Sequence, residues 1–407
     1  VDAAPAGKFN VIDMSVNGKG EWRKWDNASF WGARFVWTTL HDFGGTDGMK
    51  GWLSRINDIP FGAPEGSGVW GTGFTPEGID QNPVYYEMMA QANWRDAPIE
   101  DIPAHISLRS HRRYGLKEFN ARVDSAWRKL VASSYSQDLS VQDGTGVAHL
   151  GSNEAWAWQE DRHTPTDKLC LVWQAWGDLN AAAASGAISK DNEPFRYDLV
   201  NLGREILAQM SGPFGQNFTD AIKVNSTIDA GNVKRTGAAY AQVLEDLDTL
   251  VATDEAFLLG PWIEMAKKFA DVYAVEDCTD TGYDTITSCS KFYEWNARVQ
   301  LTTWNPTPKD AAAVPSGPID YAAKHWSGLV RDYYAELIKR LTAAVLAEAA
   351  AGRPWSDAKA ASLEASLAYE WTTATNAYPT SPMGDAFAVS QAMHATYAPH
   401  FDSCPQN

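Results

Sequence analysis

Residues 68–82 read Gly68-Val69-Trp70-Gly71-Thr72-Gly73-Phe74-Thr75-Pro76-Glu77-Gly78-Ile79-Asp80-Gln81-Asn82. The apolar residues between the glycines predict a short buried strand over 69–74. Thr75 and Pro76 then predict a helix start, with Thr75 as the N-cap and Pro76 at the first helical position, where a missing N–H costs nothing. Glu77 would lie in the first turn of that helix, facing a cleft where the strand ends.

Glu77 has two interpretations. Catalytic groups cluster at the ends of parallel strands in α/β enzymes, which makes Glu77 a candidate reacting group. A glutamate after proline at a helix start is also a favourable partner of the helix dipole, worth roughly 0.3–1 kcal/mol. A second Pro-Glu-Gly, at residues 64–66, has no strand before it. The tripeptide alone therefore does not decide between catalysis and capping.

The composition is that of a globular chain. With 407 residues, 44% of them hydrophobic, it can bury a large core and should hold two domains, or one domain and a sizeable extension. The net charge of -17 argues against nucleic acid and anionic membrane surfaces as partners, because both require clustered Lys and Arg. No run of about 18 apolar residues is present, so no membrane-spanning segment is predicted.

The N-terminus and the glycosylation sequons point to a processed protein of the secretory route. The sequence opens Val1-Asp2-Ala3-Ala4-Pro5 without an initiator Met or a signal segment, which we interpret as the result of cleavage. Sequons start at Asn27, Asn217 and Asn225. We therefore predict a secreted, lysosomal or vacuolar location and glycosylation at these three asparagines.

The cysteines predict a disulfide rather than a metal site. Cys278 and Cys289 bracket a polar loop and are predicted to pair, whereas Cys170 and Cys404 could form a second bond or stay free. Cys-x-x-Cys and paired-His spacings are absent from the sequence, so a zinc site is not predicted. A metal held by His41, Asp42 and Asp47 has no supporting spacing. We predict neither a metal nor a cofactor.

The first hundred residues predict a parallel sheet. Strand patterns cover residues 9–14, 34–40 and 69–74, with loops and a short helical piece at 52–56 between them. Three strands cannot close an eight-stranded barrel, and a parallel sheet this small would leave edges uncovered. Either another polypeptide supplies the missing strands, or the rest of the chain covers them.

From about residue 96 the pattern becomes helical. Apolar residues in 233–252 follow the spacing of one helix face, and a similar pattern runs over 321–351 before Gly352-Arg353-Pro354. A last helix is predicted from Ser356-Asp357 past Trp371. We divide the chain into residues 1–97, which hold the strands, and an all-α domain of residues 98–407.

Two further groups of residues could bind a sugar. The strand with Trp37 ends in His41 and Asp42 before glycines, so the two side chains could hydrogen-bond hydroxyls or tune a carboxylate; the alternative is a loop capped by Asp42. Trp304 and Tyr321 flank a proline-rich loop and could stack on a sugar ring, although aromatic residues in helical domains are more often core.

Several strings resemble one enzyme family. They are Leu40-His41-Asp42-Phe43-Gly44-Gly45, Gly71-Thr72-Gly73-Phe74-Thr75-Pro76-Glu77-Gly78-Ile79, Gln81-Asn82, Arg112-Arg113-Tyr114-Gly115, Phe195-Arg196-Tyr197-Asp198-Leu199, Phe257-Leu258-Leu259-Gly260, Asn296-Ala297-Arg298-Val299-Gln300-Leu301-Thr302-Thr303-Trp304 and Asp320-Tyr321-Ala322. In this order they resemble the α-N-acetylglucosaminidases, glycoside hydrolase family 89. The resemblance extends from about residue 30 to about residue 385.

The resemblance implies a retaining hydrolase that removes terminal α-linked N-acetylglucosamine, with Glu77 as the nucleophile. It implies that Trp304 and Tyr321 reach into the sugar pocket. From the pattern around residues 37–42, Trp37, His41 and Asp42 are further predicted substrate-binding residues. Family members combine a (β/α)8 barrel with an all-α C-terminal domain. The predicted fold is therefore α/β plus all-α: the last strands of a (β/α)8 barrel followed by a large helical domain.

One departure from the family matters for function. The general acid/base of the family lies upstream of the position that matches Val1, whereas retaining hydrolysis needs two carboxyls about 5–5.5 Å apart. We do not expect Asp42, which stands where animal relatives tend to have Asn, to replace it. The loop from Trp304 to Tyr321 is also longer than in animal relatives. An N-terminal fragment of the same precursor is the predicted partner, beside a glycan ending in N-acetylglucosamine; a homo-oligomer is left open.

Two other functions compete with this prediction. The chain could be a glycan-binding or scaffold protein that does not cleave its ligand, which the missing acid favours. It could also be a retaining hydrolase of another α-hexosaminide, since the residues that recognise the acetamido group should lie mostly upstream.

Overall fold

The computed structural model describes residues 8–16, 20–25, 30–41, 44, 48–63, 66–77, 82–137, 166–222, 228–272, 278–280, 282–317, 319–322 and 324–405. The chain forms two compact units. The first unit comprises Val1–Gln142, Thr164–Phe195 and Phe401–Asn407, and the second comprises Asp143–His163 and Arg196–His400. The first unit is thus assembled from segments far apart in the sequence. The division predicted at residue 97 stays a prediction.

The predicted parallel sheet is present in the first unit. Its strands are β1 (Asn10–Val16), β2 (Arg34–Leu40) and, after the two-residue β3 (Gly51–Trp52), β4 (Val69–Phe74). Their order is β1-β2-β4, and both pairings are parallel. The carboxyl ends of all three strands therefore lie at the same edge of the sheet.

The two faces of the sheet differ in how completely the described chain covers them. Phe35, Trp37 and Thr39 of β2 are completely buried on one face. On the other face Ile12 and Met14 of β1 are 65% and 60% exposed. Strand partners in register point to the same side, so these two residues share their face with alternate residues of β2 and β4.

The prediction that β4 is buried was wrong. Trp70 is 65% exposed and Phe74 is 46% exposed. The reason is that β4 lies at one end of the strand order and pairs with β2 alone among the described strands. The pattern of apolar residues is that of an interior strand, but within the described chain its neighbours on one side are missing.

The predicted helix start at Thr75 was also wrong. The N–H of Thr75 donates to the carbonyl of Thr39 at 3.1 Å, so Thr75 prolongs the pairing of β4 with β2 instead of capping a helix. The helix begins later, as α2 (Pro83–Gln91), with Asn82 as its N-cap and Pro83 at the first position. α1 (Leu53–Asp58) is the predicted short helical piece.

The rest of the first unit is helical. Its elements are α3 (Ile102–Arg113), α4 (Ala121–Ala132), β5 (Ser136–Gln137) and α5 (Thr166–Ala184). β5 pairs antiparallel with β3. Cys170 of α5 forms a disulfide with Cys404, the pairing left open by the sequence, and Trp173 stacks on Phe401 at 4.1 Å. The C-terminal residues are thereby fixed to the first unit.

The second unit consists of helices. They are α6 (Glu193–Ile222), whose first residues belong to the first unit, α7 (Ala230–Val251), α8 (Leu259–Val272), α9 (Cys289–Leu301), α10 (Glu336–Ala350), α11 (Asp357–Thr372) and α12 (Ala386–Tyr397). The predicted apolar face of α7 is buried. The predicted disulfide Cys278–Cys289 is present. None of the described helices is long and apolar enough to cross a membrane.

Two helix predictions needed correction. The helix expected from residue 321 starts near residue 330, where a π-helical segment, Val330–Ala335, leads into α10. The carboxylate of Asp248 on α7 accepts the N–H groups of Gly328 and Arg331 and so caps this helix from outside. α11 is followed by α12, which was not predicted; Asp385 caps it by accepting the N–H groups of Phe387 and Ala388.

Candidate functional site

Glu77 lies just beyond the carboxyl end of β4 and is half-buried. Its Oε2 accepts the backbone N–H of Gly44 at 3.0 Å. Gly44 belongs to the loop that follows β2, and because β2 and β4 are parallel, this loop and Glu77 emerge at the same edge. The structure therefore brings together the two parts of the sequence that were singled out separately.

The loop between β2 and β3 is closed at its base. Nε2 of His41, the first loop residue, lies 3.0 Å from the carbonyl oxygen of Lys50, the last one; because a carbonyl only accepts, Nε2 carries the hydrogen. The imidazole stacks on Tyr85 of α2 at 3.9 Å, and the hydroxyl of Tyr86 donates to the His41 carbonyl at 2.9 Å. His41 thus holds the loop to α2.

Asn82 joins the same base to a third element. Its Nδ2 donates to the Lys50 carbonyl at 2.6 Å, and its Oδ1 accepts from the hydroxyl of Tyr135 at 3.3 Å and from the N–H of Tyr85 at 3.5 Å. The sequence had assigned no role to Asn82. The sequence does contain a signal for this residue, because Asn82-Pro83 matches the pattern of an N-cap followed by proline as well as Thr75-Pro76 does.

The structure buries two of the residues predicted to contact the sugar. Trp37 is completely buried on the covered face of the sheet, and His41 is 1% exposed between Tyr85 and the Lys50 carbonyl. Both side chains are enclosed within the described residues, and their role in substrate binding stays a prediction. Asp42, the third residue of this group, lies outside the described residues.

The second unit brings Trp304 and Tyr321 together. Their rings are 5.5 Å apart with planes at 64°, and Trp304 is 41% exposed. Trp304 has a φ of 57°, in the left-handed region that non-glycine residues seldom adopt, and its N–H donates to Val299 at 2.8 Å. Strained backbone of this kind clusters at ligand sites.

Asp320, which precedes Tyr321, is itself fixed by two hydrogen bonds. Asp320 also has a left-handed φ, 52°, and its N–H donates to the Thr302 carbonyl at 2.6 Å, which closes the proline-rich loop at its base. Its Oδ1 accepts the hydroxyl of Tyr334 at 2.7 Å, from the π-helical segment. Burial, and then the neighbouring Asp320 carboxylate, raise the pKa of Tyr334, so the hydroxyl keeps its proton and remains a donor.

The other predicted site residues are separate from these groups. Asn217 is exposed on α6, while the next residue of its sequon, Phe218, is fully buried. Asn27 and Asn225 lie outside the described residues. Within the described part of the chain, no group of three or more His, Cys, Asp or Glu side chains could hold a metal ion.

Comparison with known families identifies the chain. Residues 106–396 match the family model of the α-N-acetylglucosaminidase (NAGLU) C-terminal domain, and residues 1–96 match the model of its TIM-barrel domain. This chain belongs to the α-N-acetylglucosaminidase family. The three parallel strands are thus part of the TIM-barrel domain of this family, and the later helices form its C-terminal domain.

Relatives of the α-N-acetylglucosaminidase family are longer than this chain. Human α-N-acetylglucosaminidase is 30% identical over 406 residues, which is 98% of this chain and 49% of the human protein. The family 89 glycoside hydrolase of Clostridium perfringens is 20% identical in its complexes with PUGNAc (TM-score 0.71) and with GlcNAc-alpha-1,4-galactose (TM-score 0.73). These two alignments cover 95% and 96% of this chain and 42% of the bacterial one. The chain therefore spans about half the length of its relatives.

Proposed function

We propose that this chain is the C-terminal part of a retaining α-N-acetylglucosaminidase and that Glu77 is its nucleophile. The observation that carries the proposal is the position of Glu77 at the carboxyl end of a parallel strand, where its carboxylate accepts the Gly44 N–H from the loop after β2. Active sites of TIM-barrel enzymes are built at this end of the strands. The hydrogen bond fixes one oxygen of the carboxylate at this edge of the sheet.

The proposed reaction has two steps. Glu77 attacks the anomeric carbon while the glycosidic C–O bond breaks, and a second carboxylic acid protonates the leaving oxygen. Water then attacks the anomeric carbon of the glycosyl-enzyme, the second carboxylate takes a proton from the water, and Glu77 is released. The sugar leaves with its original anomeric configuration.

The second carboxylic acid is proposed to come from an N-terminal part of the enzyme. Two observations support this partner: the chain covers 49% of its human relative, and the sheet exposes Ile12, Met14 and Trp70 as if further strands should cover them. A structure of the bacterial relative was obtained with two Glu→Gln substitutions and its substrate GlcNAc-alpha-1,4-galactose, which agrees with a mechanism that uses two carboxyls.

Trp304 and Tyr321 are proposed to bind the sugar. An exposed indole beside a phenol offers an apolar face for the sugar ring and a hydroxyl for its polar rim. The two disulfides favour an oxidising compartment, so we propose a secreted or lysosome-like location. The substrate we propose is a glycan that ends in α-linked N-acetylglucosamine.

Replacement of Glu77 by glutamine tests the nucleophile. In the complete enzyme, Glu77→Gln should lower turnover of an aryl α-N-acetylglucosaminide by about 10³-fold or more, because the amide cannot form the glycosyl-enzyme. Glu118→Gln, which changes an exposed glutamate of the same unit, is the control and should keep full activity. Turnover of Glu77→Gln within a few fold of wild type would remove Glu77 from this role.

Two further measurements separate the competing functions. Calorimetry should show that Glu77→Gln still binds N-acetylglucosamine and that the added change Trp304→Ala weakens this binding. Sugar binding without turnover by the wild-type complete enzyme would instead favour a glycan-binding protein. Native mass spectrometry of the active sample should show a second polypeptide part; a fully active species of 44.7 kDa alone would contradict the proposed partner.

A further inference from the structure

Gly44, the donor to Glu77, belongs to the loop between β2 and β3, residues 41–50. This loop leaves β2 at His41 and enters β3 after Lys50. Its two ends are held together because His41 Nε2 donates to the Lys50 carbonyl at 3.0 Å, and the same carbonyl accepts a second hydrogen bond from Asn82 Nδ2 at 2.6 Å. The loop is therefore closed at one atom, the Lys50 oxygen, with Gly44 between its ends.

Asn82 is the more informative of the two donors. Its side chain is almost fully buried, and its amide orientation is set by its partners, a carbonyl on the nitrogen side and O–H and N–H donors on the oxygen side. It also begins α2, the helix on which His41 stacks. One side chain thus couples the start of α2 to the end of the loop.

Tyr135 supports this coupling from the segment after α4. Its hydroxyl donates to Asn82, and its backbone carbonyl accepts the N–H of Leu53, immediately after β3. The N–H of Gly51 donates to Ser134 in the same way. Tyr135, which is matched by the family model of the C-terminal domain, therefore contacts the end of the loop that contains Gly44.

We propose that Asn82 is a positioning residue for Glu77. Its hydrogen bond to the Lys50 carbonyl fixes the end of the loop to the start of α2, and the fixed loop end keeps the Gly44 N–H on the Glu77 carboxylate. The hydroxyl of Tyr135 fixes the orientation of the Asn82 amide by donating to its Oδ1. This inference rests on the proposed role of Glu77, and it assigns Asn82 no contact with the reacting atoms.

Asn82→Asp is a sharp test because it replaces the Nδ2 donor by an oxygen of nearly the same size. The variant keeps the oxygen that caps α2 and accepts from Tyr135, but it sets a carboxylate oxygen against the Lys50 carbonyl. In the complete enzyme, kcat should fall about 10- to 100-fold with KM within about twofold, since displacements of about 1 Å cost this much. Asn120→Asp is the matched control: Asn120 caps α4 by accepting the N–H groups of Arg122 and Val123.

A second measurement does not depend on activity. Hydrogen exchange followed by mass spectrometry should show faster exchange in the peptide with Gly44 for Asn82→Asp, and unchanged exchange there for Asn120→Asp. Faster exchange with lower kcat in the first variant alone supports the inference. Unchanged exchange at Gly44, or kcat equal to that of Asn120→Asp, overturns it.

A milder pair of variants covers the case in which Asn82→Asp does not fold. Tyr135→Phe removes the hydroxyl that holds Asn82, and should shift exchange at Gly44 and kcat in the same direction. Tyr114→Phe is its control, because it removes another buried hydroxyl, the acceptor of Trp127 Nε1 at 3.0 Å. Equal effects of the two variants overturn the inference. Full turnover by Glu77→Gln would overturn the proposed nucleophile, and the exchange result would still stand.

Discussion

Gly51 shows how closely the loop behind Glu77 is packed. It has a φ of 146°, and a Cβ atom at this position would lie 2.6 Å from Cδ2 of Tyr85 and 3.6 Å from Cε1 of His41. A separation of 2.6 Å is well inside van der Waals contact. Only glycine lets the chain pass under the stacked rings of His41 and Tyr85 into β3.

We predict that Gly51→Ala is strongly destabilising. The substitution adds backbone strain and a steric clash with Tyr85, together about 3 kcal/mol. Gly186→Ala is the matched control, because Gly186 has a φ of 72° but open space around its Cβ position, so strain alone should cost about 1 kcal/mol. Urea unfolding midpoints measure both. Equal midpoints would mean that the Tyr85 ring moves aside at little cost.

At the level of single side chains, the sequence predicts the position of Glu77 better than it predicts the contacts of Glu77. Glycines, a strand pattern and one carboxylate place Glu77 at a strand end, and it lies there. Its contact with the Gly44 N–H could not be predicted, because it depends on strand pairing and joins residues 33 positions apart in the sequence. The burial of Trp37 and His41 could not be predicted, because local sequence does not show which face of a strand is covered.

Helix ends were predicted less well than helix interiors, for one physical reason. Thr75-Pro76 and Asn82-Pro83 offer the same capping chemistry, and the choice between them is made by the bond from Thr75 N–H to the Thr39 carbonyl. Likewise the helix after residue 328 begins where Asp248, on another helix, accepts its N–H groups. Hydrogen bonds to residues distant in the sequence set these boundaries. The apolar face of α7, in contrast, follows from the spacing of apolar residues within the helix itself.

The junction between α10 and α11 should respond to acid. Hydrogen bonds from Arg353 and Lys359 lower the pKa of Glu348 to about 2, below its usual value near 4.5. The native state thus favours the carboxylate, so this contribution to stability is present above about pH 4.5 and is lost as pH falls towards 2. Glu348→Gln should lower the thermal midpoint at pH 7, and the difference from wild type should shrink progressively below pH 4.5.

The control for this prediction is Glu118→Gln. Glu118 is exposed and makes no ion pair with the described residues. The thermal midpoint of Glu118→Gln should therefore equal that of the wild type at every pH measured. A constant difference between Glu348→Gln and wild type from pH 7 to pH 2.5 would contradict the assignment of the acid response to this junction.

The architecture was predicted in its parts, but their grouping was not. The three strands, their parallel order and the helical remainder follow from periodicity. However, α3, α4 and α5 group with the strands in the first unit, and so do the C-terminal residues from Phe401. This grouping depends on contacts such as the Cys170–Cys404 disulfide, which joins residues 234 positions apart. Local sequence patterns do not predict contacts over such a separation.

The two disulfides should contribute unequally to stability. Loop-closure entropy grows with the separation of the bonded residues, which is 234 for Cys170–Cys404 and 11 for Cys278–Cys289. The expected contributions are about 5 and about 3 kcal/mol. The double variant Cys170→Ser/Cys404→Ser should therefore lower the thermal midpoint more than Cys278→Ser/Cys289→Ser. The reverse order would show that local effects outweigh chain entropy.

The Cys170–Cys404 bond has a practical consequence for handling the protein. A protease that cuts one peptide bond between these cysteines produces two fragments that stay covalently joined. Such nicked material would run as a single band on a denaturing gel without reductant, and would separate into two bands once dithiothreitol is added. Purity of preparations should therefore be judged on reducing gels.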